Sequence, residues 1–236
     1  MPLPKLSYPI FELTLPSTKQ TIRYRPFLVK EEKILLTAQA SGEPGDIILS
    51  IRQVINNCII TEGIDIESLT TFDLEFLFIK IRSKSVNNII TLAYKDLEDD
   101  KRYEVEVDLD MIEMQEDPNH TNILDVGNGI VLTMRYPKAD LASSLKAIDG
   151  ELDIFFEVLK GSIDAISDGE TVYKTSDYSS EELDEFVQSL DVNAFKKIQE
   201  FFSTMPKLFY EVKYTNSLGN EKTIALTSLN DFFTLG

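Results

Sequence analysis

The chain contains one histidine and one cysteine, the side chains most often used for acid–base and nucleophilic chemistry. His120 lies in a polar stretch, residues 116–121, and we interpret it as a solvated loop histidine in preference to a general base. Cys58 lies on the apolar face of a predicted helix, where a thiol behaves as a small hydrophobic side chain. Neither belongs to a nucleophile or phosphate-loop motif, so we predict that the protein is not an enzyme.

Carboxylates supply the other candidate chemistry. Asp96, Glu98, Asp99 and Asp100 are concentrated in one predicted turn. The spacing and the glycine of a calcium-binding loop are missing, so we interpret the cluster as a solvated hairpin tip and predict no metal or other cofactor. An alternative from another functional class stays open, a hydrolase that acts through two carboxyl groups about 5–10 Å apart across a cleft.

The overall charge narrows the range of partners. There are 40 acidic residues and 23 Lys and Arg, a formal net charge of −17. Binding to nucleic acid or anionic lipid depends on clustered basic residues, so we predict no nucleic-acid and no membrane partner. No apolar run approaches the roughly 20 residues of a membrane span, and residues 1–5 lack the apolar core of a signal peptide. With a single cysteine, we expect a reducing cytoplasm.

Alternating apolar and polar residues predict three antiparallel hairpins, one N-terminal, one central and one C-terminal. Their strands are predicted at residues 13–15 with 21–25, 89–94 with 102–107, and 208–214 with 222–226. The second and third hairpins both lead into a short apolar stretch, a weak internal similarity.

Helical periodicity dominates the rest of the chain. Helices are predicted from Val29, from Ile47 to Cys58, over residues 72–83, over 152–166, and after the capping residues Ser179 and Asp191. We therefore predict an α+β fold that is mostly helical. It is expected to have an N-terminal lobe, residues 1–136, and a helical C-terminal lobe, residues 137–236, with their junction within 137–150.

Two blocks of sequence carry a resemblance to a known family. The first has Leu-Pro-Ser at 15–17 and Tyr-Arg-Pro-Phe-Leu-Val-Lys-Glu-Glu-Lys at 24–33, with Leu35 and Leu36. The second has Leu-Thr-Thr-Phe-Asp at 69–73, with Leu77, Ile81, Arg82 and Ser85. Over roughly residues 10–110 the chain resembles the baseplate proteins of T-even-type contractile-tailed bacteriophages, whose members belong to the baseplate hub and its assembly.

The resemblance implies a non-enzymatic protein that binds baseplate hub or tape-measure proteins as an assembly chaperone, in the host cytoplasm. The alternative is a permanent structural subunit of the virion baseplate. Some relatives carry paired cysteines, like a small metal knuckle, in the hairpin that here holds Tyr94 and Tyr103. The lack of cysteine in this hairpin implies that this member has lost any such metal site.

Candidate partner-binding residues come from the two blocks and from the apolar C-terminal tail. They are Arg25, Phe27, Glu31, Glu32, Lys33, Asp73, Arg82, Phe232 and Phe233. The mixed charges of residues 23–33 suit docking onto a hub subunit. The interpretation that we favour for these charges is that Arg25 pairs with Glu31 or Glu32 where the first hairpin meets the first helix. Likewise, the two phenylalanines either dock onto a partner or belong to the core.

Overall fold

A computed structural model describes residues 6–42, 44–139 and 150–232 of the chain. Over these residues there are six α-helices and eleven β-strands, and the strands pair in antiparallel sheets. The predicted α+β class is confirmed. The prediction of a mostly helical chain is wrong, because helices account for 40% and strands for 29%. No helix within the described ranges is both long enough and apolar enough to cross a membrane.

Helices and strands alternate in groups along the described chain. The helices are α1 Val29–Ser41, α2 Pro44–Cys58, α3 Thr71–Ser83, α4 Glu151–Ser162, α5 Ser180–Ser189 and α6 Val192–Thr204. The strands are β1 Phe11–Thr14, β2 Thr21–Tyr24, β3 Ile89–Lys95, β4 Arg102–Asp108, β5 Glu113–Gln115, β6 Ile123–Gly127, β7 Ile130–Met134, β8 Ile163–Ser167, β9 Val172–Lys174, β10 Lys207–Thr215 and β11 Glu221–Leu226. Short 3₁₀ turns at Leu109–Met111 and Leu229–Phe232 follow the second and third hairpins.

Contacts divide the chain into two compact units that are interleaved in sequence. Unit 1 comprises residues 1–66, 72–115 and 207–236, and unit 2 comprises residues 67–71 and 116–206. Unit 1 includes the C-terminal hairpin because β10 pairs with β5 as well as with β11. The predicted lobes, 1–136 and 137–236, stay a prediction. Most of their predicted junction lies at 140–149, outside the described residues.

In unit 1, α3 lies against the second and third hairpins, β3–β4 and β10–β11. Its residue Ile79 is fully buried in one apolar cluster with side chains from both hairpins and the turns that follow them. The other buried members are Leu92, Val105, Val107, Leu109, Ile112, Leu208, Val212, Leu226 and Phe232. The prediction of a buried helix over residues 72–83 is thus confirmed. All-round apolarity, which obscured its periodicity, is typical of a helix in a core.

Polar contacts join the first hairpin, β1–β2, to α3. The Asp73 carboxylate accepts hydrogen bonds from the Ser17 backbone N–H, at 3.0 Å, and from the Ser17 hydroxyl. At the other end of α3, the Phe27 N–H donates to the Ser85 hydroxyl at 2.8 Å. The Phe27 ring also packs on Phe78, with ring centroids 5.8 Å apart. The two sequence blocks of the family resemblance therefore contact each other within unit 1.

A buried ion pair joins β2, α1 and α2. The Arg25 guanidinium lies 3.0 Å from the Glu31 carboxylate, whose side chain has no exposed surface. Glu31 also accepts a hydrogen bond from the Leu28 N–H at the start of α1, while Arg25 donates to the Asn57 carbonyl in α2 at 2.7 Å. Burial by itself raises the pKa of Glu31, but these hydrogen bonds and the charge of Arg25 lower it overall. Of the alternatives for Arg25, pairing with Glu31 is observed.

Unit 2 combines a four-stranded sheet, in the order β6-β7-β8-β9, with helices α4, α5 and α6. Its apolar cluster includes Leu132 from β7, Leu159 from α4 and Ile198 from α6, all fully buried. Ser179 and Glu182 form the predicted capping box of α5, and the Asp191 side chain caps α6. Both predicted helix starts are confirmed.

The predicted helix over 152–166 is wrong in its second half. Helix α4 ends at Ser162, and Ile163–Ser167 forms β8 in the middle of the sheet. Two features explain the change. The Ser162 carbonyl accepts a hydrogen bond from the Arg135 N–H, which follows β7, and Ile163 pairs with Met134. Apolar residues at 163, 165 and 166 fit either periodicity, and the pairing with β7 selects the strand.

We expect the Arg25→Met variant to lose about 3–5 kcal/mol of unfolding free energy, because it leaves the Glu31 carboxylate buried without its partner. Urea denaturation measures the change. Lys30→Met is the matched control, since Lys30 lies 3.4 Å from the same carboxylate but its side chain is 64% exposed. This control should lose at most about 1 kcal/mol. Equal losses in the two variants would contradict the assignment.

Candidate functional site

The acidic cluster at the tip of β3–β4 contacts the tip of β10–β11. Tyr214 donates to the Asp96 carboxylate at 2.6 Å, and Asn216 donates to Glu98 at 2.7 Å. The Ser217 N–H donates to the carboxylate of Asp99 at 3.0 Å. We call this contact the carboxylate clamp. It differs from the predicted solvated tip, because the facing hairpin supplies the donors.

Two lysines near the clamp form ion pairs with its acidic residues and with Asp100. Lys222 lies 2.7 Å from the Glu98 carboxylate, and the exposed Asp100 forms an ion pair with Lys95 at 2.6 Å. Within the described ranges, no group of three or more His, Cys, Asp or Glu residues is arranged to hold a metal ion. The chemistry of the clamp is hydrogen bonding between two hairpins.

The clamp holds its carboxylates in the charged form. The hydrogen bond from Tyr214 lowers the pKa of Asp96, and the hydrogen bond from Lys222 lowers that of Glu98. For Asp99, desolvation opposes the shift, but hydrogen bonds from Tyr103 and Ser217 lower the pKa strongly. The pKa of Tyr214 is raised, by desolvation and by its bond to Asp96.

His120 has a packing role in unit 2. Its ring stacks on Tyr136, with centroids 5.5 Å apart, and lies 5.1 Å from the ring of Phe201. Nδ1 is 2.9 Å from the Thr204 hydroxyl. Desolvation lowers the pKa of His120, and the charge of Asp117 only partly opposes this. His120 lies in a loop as predicted, but the prediction of a solvated side chain is wrong, because these contacts leave the ring half-buried.

A cavity of about 330 Å³ in unit 2 is the acidic cleft that bears on the hydrolase alternative. Asp117, Asp125 and Glu200 line it, together with Lys197, whose ammonium group donates to the Asp125 backbone carbonyl. The cavity places carboxylates and a cation around a concave surface. The family resemblance does not point to hydrolysis, so this arrangement stays an alternative.

Glu75 in α3 has a raised carboxyl pKa. The pKa rises from 4.5 to about 7, mainly because of burial; a hydrogen bond from the Leu229 backbone opposes the rise and the nearby charge of Asp231 adds to it. Leu229 and Asp231 belong to the 3₁₀ turn Leu229–Phe232. The perturbation therefore comes from packing α3 against the C-terminal turn.

The surface of α1 and α2 is the candidate protein-binding site. In α1, Val29 is 87% exposed and Leu36 is 56% exposed. In α2, Ile47, Ile48 and Leu49 are exposed by 38–45%. Farther along α2, Val54, Ile55 and Cys58 are buried, so the exposed apolar side chains are confined to the first half of the helix.

Five of the predicted partner-binding residues have contacts inside unit 1. Glu31, Asp73, Phe27 and Phe232 are buried, and Arg25 is 14% exposed in its ion pair with Glu31. Contact with a partner through any of these side chains would first require unit 1 to open. Their assignment to a partner interface stays a prediction, but the structure gives each of them an internal role.

The other four predicted residues are more varied. Lys33 is exposed on α1, and Glu32 is half-buried beside it. Arg82 is half-buried and donates to the Asn87 carbonyl at 3.4 Å. Phe233 lies outside the described residues. Sequence reasoning missed Val29 and Leu36 as surface candidates, although their spacing of seven residues places them on one side of a helix.

We expect acid to weaken the clamp. Because the folded-state pKa values of Asp96, Glu98 and Asp99 are lowered, their contribution to stability is present above the unfolded-state values, near 4. It is lost as the pH falls through the lower, folded-state values. Asp99→Asn should therefore flatten the decline of the urea midpoint below about pH 4. Glu104→Gln, at an exposed position on β4, is the control and should keep the wild-type slope.

For Glu75 we expect a pH dependence of stability opposite in sign to that of the clamp. Its folded-state pKa is raised, so its contribution to stability is present below the unfolded-state value and is lost as the pH rises through about 7. We expect Glu75→Gln to be more stable than wild type at pH 8.5, by up to about 3 kcal/mol, with the difference shrinking toward pH 5. Urea denaturation at both pH values measures this. A gain independent of pH would contradict it.

The chain matches one known protein family over most of its length. A family model described as "T4 bacteriophage base plate protein" matches residues 8–234. Searches of curated proteins and of solved structures found no match. The match confirms the resemblance carried by the two sequence blocks and extends it through both compact units. The chain therefore belongs to the family of T4-type bacteriophage baseplate proteins.

Proposed function

We propose that the protein is an assembly chaperone of the baseplate, which binds hub or tape-measure proteins before they enter the growing tail. The observation that carries the proposal is the exposed apolar surface of α1 and α2, with Val29 and Leu36 as its most exposed members. Exposed apolar side chains grouped on neighbouring helices are typical of protein-binding surfaces. Family membership supports a partner among other baseplate proteins.

The charge of the chain supports the same function. A net charge of −17 keeps an unassembled protein soluble by repulsion between copies, even when it exposes apolar side chains. The same field attracts a partner of positive net charge and accelerates its encounter, whatever the charge of the local contact surface. An assembly factor needs both properties, because it meets its partner in free solution before the tail exists.

The alternative is a permanent subunit of the virion baseplate. The same exposed apolar surface supports it, since a subunit buries such a surface in the finished particle. The two functions differ in where the protein is found after assembly. A chaperone leaves, whereas a subunit remains at fixed stoichiometry.

Mass spectrometry of purified phage particles distinguishes these functions. We expect the protein to be present in infected-cell extracts and absent from particles, and to co-purify with a hub or tape-measure protein of the same phage when the two are co-expressed. Detection in particles at a constant ratio to known baseplate proteins would replace the chaperone proposal with the subunit alternative. Co-purification with none of the hub and tape-measure proteins would overturn the proposed binding function.

A further inference from the structure

Helix α1 has two different sides. Its inner side is attached to unit 1 through the buried Glu31 and Ala38, with Ile34 half-buried. On the opposite side, Val29, Lys33, Leu36 and Ala40 are all exposed. Their spacing, i, i+4, i+7 and i+11, places them in one line along the helix. We call these four residues the α1 stripe.

This spacing is typical of a seam between two packed helices. A single exposed apolar residue needs no explanation, but Val29 and Leu36 stand two turns apart in the same line, and Ala40 continues it. From Val29 to Ala40 the stripe rises about 16 Å, or three helical turns. A partner helix of roughly this length can cover it.

The charges on and beside the α1 stripe indicate which kind of partner helix it can bind. Lys33 lies within the stripe and forms no ion pair within the described part of the chain, and Lys30 beside it is 64% exposed. Both lysines also line a groove of about 450 Å³ between α1 and α2. The strongly acidic chain thus presents one cation, Lys33, within the α1 stripe, and a second, Lys30, beside the stripe and 3.4 Å from the Glu31 carboxylate. A helix with carboxylates opposite them is complementary.

The same charges disfavour a second copy of this chain. An antiparallel pairing of two α1 stripes would place the two Lys33 side chains close together at its centre. The two copies would also bring together two net charges of −17. A different protein avoids both repulsions.

We propose that the α1 stripe binds an amphipathic helix of another baseplate protein, with Asp or Glu of that helix facing Lys30 and Lys33. This inference rests on the proposed function, because it names the surface and the partner chemistry through which the protein would bind. The partner helix would pack its apolar side chains against Val29 and Leu36.

The test uses the full chain and whichever hub or tape-measure protein co-purifies with it. Val29→Asp and Leu36→Asp are each expected to weaken binding about tenfold or more, measured by titration calorimetry. Val192→Asp is the matched control: Val192, like Val29, is the first residue of an α-helix and is 71% exposed, but it lies in α6. An aspartate at either first position suits the helix dipole, so both variants should fold normally.

A charge exchange tests the partner chemistry. Lys33→Glu is expected to weaken binding, and replacement of an acidic residue by Lys in the partner helix should restore it. Equal affinities for wild type, Val29→Asp and Val192→Asp would overturn the stripe as the binding surface while leaving the proposed function intact. Failure of the wild-type chain to bind any hub or tape-measure protein would overturn both. A dimer of this chain that Leu36→Asp dissociates, observed by sedimentation, would also overturn the inference.

Discussion

The Arg25–Glu31 ion pair determines how the N-terminal part of unit 1 is assembled. One carboxylate with no exposed surface receives Arg25 from the end of the first hairpin and the N–H that begins α1, while the same arginine reaches the last turn of α2. Such a pair is costly to bury and costly to break, so it selects one arrangement of these segments. It also fixes the orientation of α1. With Glu31 turned inward, Val29 and Leu36 are necessarily turned outward.

Carboxylates in this acidic chain have three distinct roles. Glu31 is buried against a cation, and Asp73 accepts hydrogen bonds from the backbone and hydroxyl of Ser17. Asp96 and its neighbours join two hairpins through neutral donors and one lysine, Lys222. In each case a carboxylate accepts hydrogen bonds from donors in a loop or at a helix end. Without the carboxylate, these donors would lack a partner. Some of the acidic side chains therefore stabilise the fold. The other, exposed acidic side chains give the chain the negative surface charge through which its copies repel one another.

Local sequence patterns predicted most of the helices and strands, but little of how these elements pack together. The hairpins, the buried α3 and the capped starts of α5 and α6 follow from alternation, apolar content and the caps at Ser179 and Asp191. The strand β8 was missed because its residues suit a helix equally well until β7 pairs with them. The clamp joins residues 118 positions apart, such as Asp96 and Tyr214, and no local pattern records that proximity. The charged motif residues, such as Arg25 and Glu31, suit a partner surface and an internal ion pair equally well by residue type, and only their position in the fold distinguishes the two.

Because the two units are interleaved in sequence, they can complete their folding only in a fixed order during synthesis. Unit 2 is nearly continuous in the chain and can form as soon as residue 206 has left the ribosome, whereas β10 and β11 complete unit 1 only afterwards. Until then, β5 lacks the strand that covers it, and the apolar cluster around Ile79 lacks Leu208, Val212 and Leu226. A nascent chain therefore carries an unfinished hydrophobic surface. A prematurely terminated chain would keep that surface and would be a substrate for degradation.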